Sequence, residues 1–171
     1  MDDDTIQAQF LETYDRLADS IYRYARMRLS DHDAALDLTQ ETFMRYWRHL
    51  SEGKPVAHER ALLFTIVRRL VIDRYRARRT ESLDQLQEDA GFEPSDEREL
   101  SPDARAEGAR ALSLVAQLPE DYRDAVFLRY VEGLEPRDIA AALDLSANVV
   151  SVRIHRGVEK LRALMHTDEH A

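Results

Sequence analysis

Seven arginines stand between Arg60 and Thr80 against one acid, Asp73, in a chain whose formal net charge is −9. Guanidinium groups gathered this way suit phosphate oxygens, because each donates in a fixed fork and never loses its charge. Arg60, Arg68, Arg69, Arg76 and Arg79, with Asp73 and Tyr75 among them, make a candidate polyanion site. A second set lies near the C-terminus: Asn148, Val149, Ser151, Val152, Arg153, His155 and Arg156. In a DNA groove arginine can pair bidentately with guanine, asparagine with adenine, and serine or arginine with phosphates.

Helices must position both sets. Ile6, Phe10, Tyr14, Leu17, Ile21 and Tyr24 recur every three or four residues, which predicts a first helix over about 5–29. Ser30-Asp31 offers N-cap chemistry for a second, carrying Ala35, Leu38, Phe43, Tyr46 and Leu50. Gly53 and Pro55 break it, and a third runs over about 58–79 with an apolar stripe of Leu62, Leu63, Ile66, Val67 and Leu70. Phe43, Tyr46 and Trp47 read as core aromatics. Residues 81–107 hold two bases against ten acids, and within them 81–103, with glycine and prolines, read as a linker with at most a short helix near 82–86. Helical pattern resumes at about 104–117, again from Leu118-Pro119 to Gly133 through Ala125, Val126, Leu128 and Tyr130, and then at 136–143 and 147–165. In the last pair, Ile139, Ala140 and Leu143 face Val150 and Ile154 across a turn holding Leu145. The polar residues of the second helix lie on or beside its outer face, the pattern of a helix-turn-helix. An αα-hairpin within any helical bundle would carry the same spacing.

Composition narrows the class. Cysteine is absent, which excludes disulfide frameworks and thiolate metal sites. The acidic N-terminus lacks an apolar signal segment, and no apolar run approaches the roughly 20 residues of a membrane span, so a cytoplasmic protein is expected. Asp33, Asp37 and Glu41 share a face but lack paired histidines, and His58-Glu59 has no second histidine to complete a zinc motif. No Gly-rich phosphate loop and no catalytic constellation is visible. We therefore expect no enzyme activity, no metal and no cofactor. Acidic tracts around two basic islands also argue against tight autonomous binding to DNA.

The ordered set of motifs resembles the extracytoplasmic-function (ECF) sigma factors of the bacterial sigma-70 family. Asp37-Leu38-Thr39-Gln40-Glu41-Thr42-Phe43 with Tyr46-Trp47-Arg48 is similar to the family's region 2.2. Leu63 to Arg68 and Ile72 to Arg76 are similar to regions 2.3 and 2.4, and Leu118-Pro119-Glu120 through Arg162 to region 4. The resemblance implies an all-α protein of two small helical domains, region 2 over 1–80 and region 4 over 104–171, joined by a flexible acidic linker over 81–103. It implies core RNA polymerase as partner, through its β′ clamp helices and β flap, together with promoter DNA and an anti-sigma factor. Asp37, Leu38, Gln40, Glu41, Arg45 and Arg48 would bind the polymerase core. The arginine face with Asp73 and Tyr75 would hold the melted −10 strand beside a specificity loop at 51–59, and residues 148–156 would read the −35 element.

The chain departs from the family pattern in several places. Leu62 stands where tryptophan is common, Arg69 for asparagine, Asn148-Val149 for glycine-threonine and Ser151 for lysine, so no relative's promoter sequence carries over. The arginines at 74–79 also suit a solvated helix end. Two other functions fit parts of the pattern: a stand-alone helix-turn-helix regulator, and a sigma mimic that sequesters an anti-sigma factor. A simple regulator needs no surface like 37–50.

Overall fold

The computed structural model describes residues 2–81 and 101–170, and these fall into two compact units. The first is a three-helix bundle of α1 (Asp3–Arg28), α2 (His32–Ser51) and α3 (Glu59–Glu81), each packed on the other two. Only three residues separate α1 from α2, and Asp31 accounts for the sharp restart. Its carboxylate accepts from the backbone N–H groups of Asp33 (2.9 Å) and Ala34 (3.2 Å), two donors otherwise orphaned at a helix start. These bonds, Ala34 foremost, hold the Asp31 carboxyl below its ordinary pKa, with Arg78 and Arg74 of α3 adding to the effect. The N-terminus of α2 thus sits near the basic end of α3.

The core of this unit is Ile21, Tyr24, Tyr46, Leu63, Phe64, Val67 and Val71. The face of α3 that is buried differs from the stripe expected from sequence. Leu62 and Ile66 are only half-buried, whereas Ala61, Phe64 and Val71 are fully covered. Since α3 packs against both α1 and α2, it buries two flanks, and the covered face is centred on Leu63, Val67 and Leu70. Of the three α2 aromatics, Phe43 and Tyr46 are core. Trp47 is 40% exposed and meets Phe10 edge-on, with ring centroids 5.2 Å apart.

The second unit holds α4 (Pro102–Ala116), α5 (Glu120–Val126), α6 (Pro136–Leu143) and α7 (Ala147–Glu169). Ser101 caps α4 through the Ala104 N–H (3.3 Å), with Pro102 in its first turn. One wide π-helical turn, Phe127–Val131, ends α5. The extra residue in that turn shifts the helical phase. Asp124 through Leu128 are all buried in succession, and Tyr130, expected on the apolar face, is 64% exposed. Gly133 then takes a left-handed φ of 69°. The helix-turn-helix follows as the spacing implied. Asp144 closes α6 at φ 55°, the Leu145 N–H donates to the Ala140 carbonyl (2.9 Å), and Ser146 caps α7 through the Val149 N–H (3.3 Å). Ala142, not Ala140, is the small residue fully buried beside Ile139 and Leu143.

A close approach the sequence did not reveal is Gly157 on α7. A Cβ there would lie 2.4 Å from Val126 Cγ2 and 3.2 Å from Tyr122 Cβ, so α5 crosses α7 where a side chain is missing. Residues 82–100 of the expected linker, with the short helix expected near 82–86, lie outside the described residues, and its last two positions, Pro102 and Asp103, already belong to α4.

Candidate polymerase and promoter interfaces

The outer face of α2 is polar with an apolar strip beside it. Asp37, Gln40, Arg45 and Arg48 are exposed, Glu41 is half-buried, and the Arg45 Nε donates to Glu41 at 2.8 Å. Leu38, grouped with them from sequence, is buried and corrects that set: it faces the core one turn below Thr42, whose hydroxyl donates to the Leu38 carbonyl (2.6 Å). Sequence reasoning missed Leu36 and Met44, the latter 60% exposed. With Gln40 and Trp47 they recur at four, four and three residues, a helical line that was available as a signal. Such a face, with apolar groups between charges that can pair outward, suits a protein partner.

At the far end of α2 the chain enters the segment that leads to α3. Gly53 turns it at φ 65°, the Lys54 N–H donates to the His49 carbonyl (3.3 Å), and His49 Nε2 lies 3.3 Å from the Pro55 carbonyl. Glu59, first residue of α3, anchors the exit. Its carboxylate accepts from Arg16 and from Gln9 Nε2 (3.2 Å) on α1 and from the Tyr46 hydroxyl (3.4 Å) on α2. Tyr46 in turn lies 3.4 Å from Thr13 Oγ1. Burial, chiefly, raises the Tyr46 pKa, and the Glu59 charge adds to it, so this phenol stays protonated. A loop fixed at both ends by side chains is a shaped surface, with residues 52–55, 57 and 58 exposed along it.

Beyond the loop, α3 carries the arginines. Arg69, Asp73 and Arg76, at i, i+4 and i+7, share an exposed face; Arg60 and Arg79 are also exposed, and Arg68 is half-buried. Tyr75, grouped with these arginines from sequence, is 42% exposed and also reaches back to α1. Its hydroxyl donates to the Arg28 carbonyl at the end of α1, and the Arg28 guanidinium carbon sits 5.9 Å from its ring centroid. This tyrosine braces α3 against α1.

On α7, Val150 and Gly157 are buried and Ile154 half-buried, while Asn148, Val149, Ser151, Val152, His155 and Arg156 are exposed. His155 lies 3.4 Å from Glu159. Arg153 departs from the outer face. Its guanidinium is half-buried on the flank toward α5, 3.8 Å from Asp121. Among the described residues no group of three or more histidine or acidic side chains could hold a metal ion, and no helix is long and apolar enough to cross a membrane.

Among the described residues the chain is all-helical and in two units, with a polar and apolar face on α2 apart from the arginine face of α3 in the first and a helix-turn-helix in the second. Residues 13–81 match the family described as sigma-70 region 2, and residues 109–161 the family described as sigma-70, region 4. The chain is 36% identical over 160 residues to the ECF RNA polymerase sigma factor SigE of Mycolicibacterium smegmatis. That alignment takes in 90% of this chain and 61% of SigE. It is 34% identical to the RNA polymerase sigma factor CnrH of Cupriavidus metallidurans (77% of this chain, 73% of CnrH). It is 30% identical to the ECF RNA polymerase sigma factor EcfG of Rhodopseudomonas palustris (87% and 81%). The solved structure of CnrH in complex with the cytosolic domain of CnrY aligns with a TM-score of 0.69 at 27% identity, covering 95% of this chain and 90% of CnrH. The sigma factor RpoE of Bartonella quintana, solved with the anti-sigma factor NepR, shares the fold at a TM-score of 0.76 and 24% identity, over 94% and 98% of the two chains. The chain belongs to the ECF sigma factors of the sigma-70 family.

Proposed function

We propose that this sigma factor recruits core RNA polymerase to a restricted set of promoters, and that the polymerase supplies all the chemistry. Residues 1–80 form the unit that docks on the core and holds the melted −10 strand. Residues 104–171 read the −35 duplex and meet the β flap, and the acidic segment 81–103 joins them. The observation that carries this reading is the division of labour within the first bundle. The polar and apolar outer face of α2 belongs to a protein contact, whereas the arginine face of α3, next to a pinned loop, belongs to nucleic acid. A stand-alone helix-turn-helix regulator would have no use for the α2 face.

In this scheme Asp37, Gln40, Glu41, Arg45 and Arg48 meet the β′ clamp helices. Arg60, Arg68, Arg69, Arg76 and Arg79 hold strand phosphates, with Asp73 on the same face, and the 51–59 loop takes an unstacked base. Control comes from an anti-sigma factor, the kind of partner with which the Bartonella RpoE was solved, and the complex works in the cytoplasm. The direct test is affinity for core polymerase. Asp37→Ala with Gln40→Ala should weaken it about tenfold while helical content stays unchanged, a hot-spot-sized effect. Unchanged affinity would remove α2 from the interface.

A further inference from the structure

The N-terminal half of α7 presents an unusual surface for a helix that reads DNA. Asn148, Val152 and Arg156 recur every four residues and form the centre of its outward face, with Val149 and Ser151 beside them. Val152 is 47% exposed and Val149 39%. Arg153, which would otherwise dominate this region, is drawn aside toward Asp121 on α5. The first two turns therefore offer two apolar side chains, three residues apart on adjoining positions of one surface, with their Cβ atoms about 5–6 Å from each other.

Both valines stand among the exposed residues of α7. An exposed valine gains little from burial, and it is a weaker helix former than lysine, arginine or glutamine. It is also stiff: a β-branched residue in a helix holds one χ1 rotamer, so its methyl groups have fixed positions relative to the helix axis. Val149 is further fixed because its own N–H donates to the Ser146 cap. Valine can neither donate nor accept a hydrogen bond. The apolar group that a base pair presents in the major groove is the C5-methyl of thymine. The spacing of the two side chains spans one to two base steps of about 3.4 Å.

We infer that Val149 and Val152 read thymine methyl groups in the −35 element, with Asn148 and Arg156 setting the register through polar contacts. The inference rests on the proposed reading of α7 as the −35 helix. It assigns to this chain a preference for A·T pairs at the positions the valines cover, on whichever strand carries the methyl.

Deoxyuridine tests this directly, since it lacks only the thymine C5-methyl. The full-length chain with core RNA polymerase is used to select a promoter from a library randomised across the −35 region. Each thymine of the selected element, on either strand, is then replaced singly by deoxyuridine and holoenzyme affinity is measured. At one or two positions affinity should fall about fourfold, the transfer value of one methyl-sized group. Val152→Ala or Val149→Ala should abolish that sensitivity at one position each, with helical content unchanged because alanine favours helix. A wild-type holoenzyme indifferent to every replacement, variants that keep the same sensitivity, or a selected element without A·T pairs would overturn the inference. Arg156→Ala separates the two levels. If it weakens binding while deoxyuridine is silent, only the apolar readout fails; if Arg156→Ala, Asn148→Ala and both valine variants change nothing, the assignment of α7 itself fails.

Discussion

Arg153 of α7 reaches back to Asp121 in the first turn of α5, with 3.8 Å between guanidinium and carboxylate. The pair ties α7, the helix proposed to read the −35 element, to the element beneath it, and it takes a prominent cation of the 148–156 segment off the outward face. In the proposed scheme Arg153 is accordingly a positioning residue. Arg153→Ala should lower stability by no more than about 1 kcal/mol, because Asp121 is largely exposed and the contact is long. It should reduce transcription to a similar extent on every promoter of the set. Urea unfolding and initiation assays on promoters altered at single −35 positions would check this. A loss confined to one base position, at unchanged stability, would return Arg153 to base reading.

Glu59 is the corresponding anchor of the first unit, joining Gln9 and Arg16 of α1 to Tyr46 of α2 at the exit of the 51–59 loop. Glu59→Ala takes the acceptor from the Gln9 amide and leaves the buried Tyr46 phenol only Thr13 Oγ1. A cost of about 1–2 kcal/mol is expected, discounted for the exposed Arg16. Holoenzyme assembly should survive, while formation of the open complex falls and changes at −10 bases matter less. Equal activity on all −10 variants, with the wild-type rate retained, would show that the loop needs no such anchor.

Asp31 gives a pH dependence with a definite sign. Its carboxyl pKa is lowered in the folded chain, first by the Ala34 N–H, so its cap stabilises α2 fully above the ordinary carboxylate range. That contribution is lost as pH falls through the lowered folded value. Asp31→Asn keeps an equally good cap but cannot titrate in this way. The urea midpoint of the variant should therefore fall less steeply with acidification than that of the parent. Parallel curves would contradict the assignment.

Much of this architecture was legible in sequence, and the exceptions share a physical origin. Asp31 announced its helix because capping is local chemistry, whereas Ser146 read only as part of a turn. The 136–156 spacing announced the helix-turn-helix because burial has a period. Phe127 was missed since a π turn resets that period in mid-helix, and Tyr130 was misplaced for the same reason. Leu62 and Ile66 were assigned to the core because a single stripe was assumed where α3 packs on two neighbours. Gly157 and Arg153 were unreadable in another way. What fixes each is a residue on α5, and one helix's sequence does not say which helix lies against it. At the candidate site, the arginine face of α3 and the polar face of α2 were both visible, whereas Leu38 was placed by motif and belongs to the core. Met44 was passed over because only the buried stripe of α2 was sought, although Leu36, Gln40, Met44 and Trp47 form a second helical line.

The central claim is that this chain starts transcription through polymerase. Run-off transcription with purified core RNA polymerase, on fragments of the host genome, tests it most directly. Discrete transcripts should appear only when the chain is added, while the free chain, with its net charge of −9, binds the same fragments weakly at physiological salt. Absence of discrete starts, together with nanomolar duplex binding by the free chain, would contradict the account and favour a stand-alone regulator.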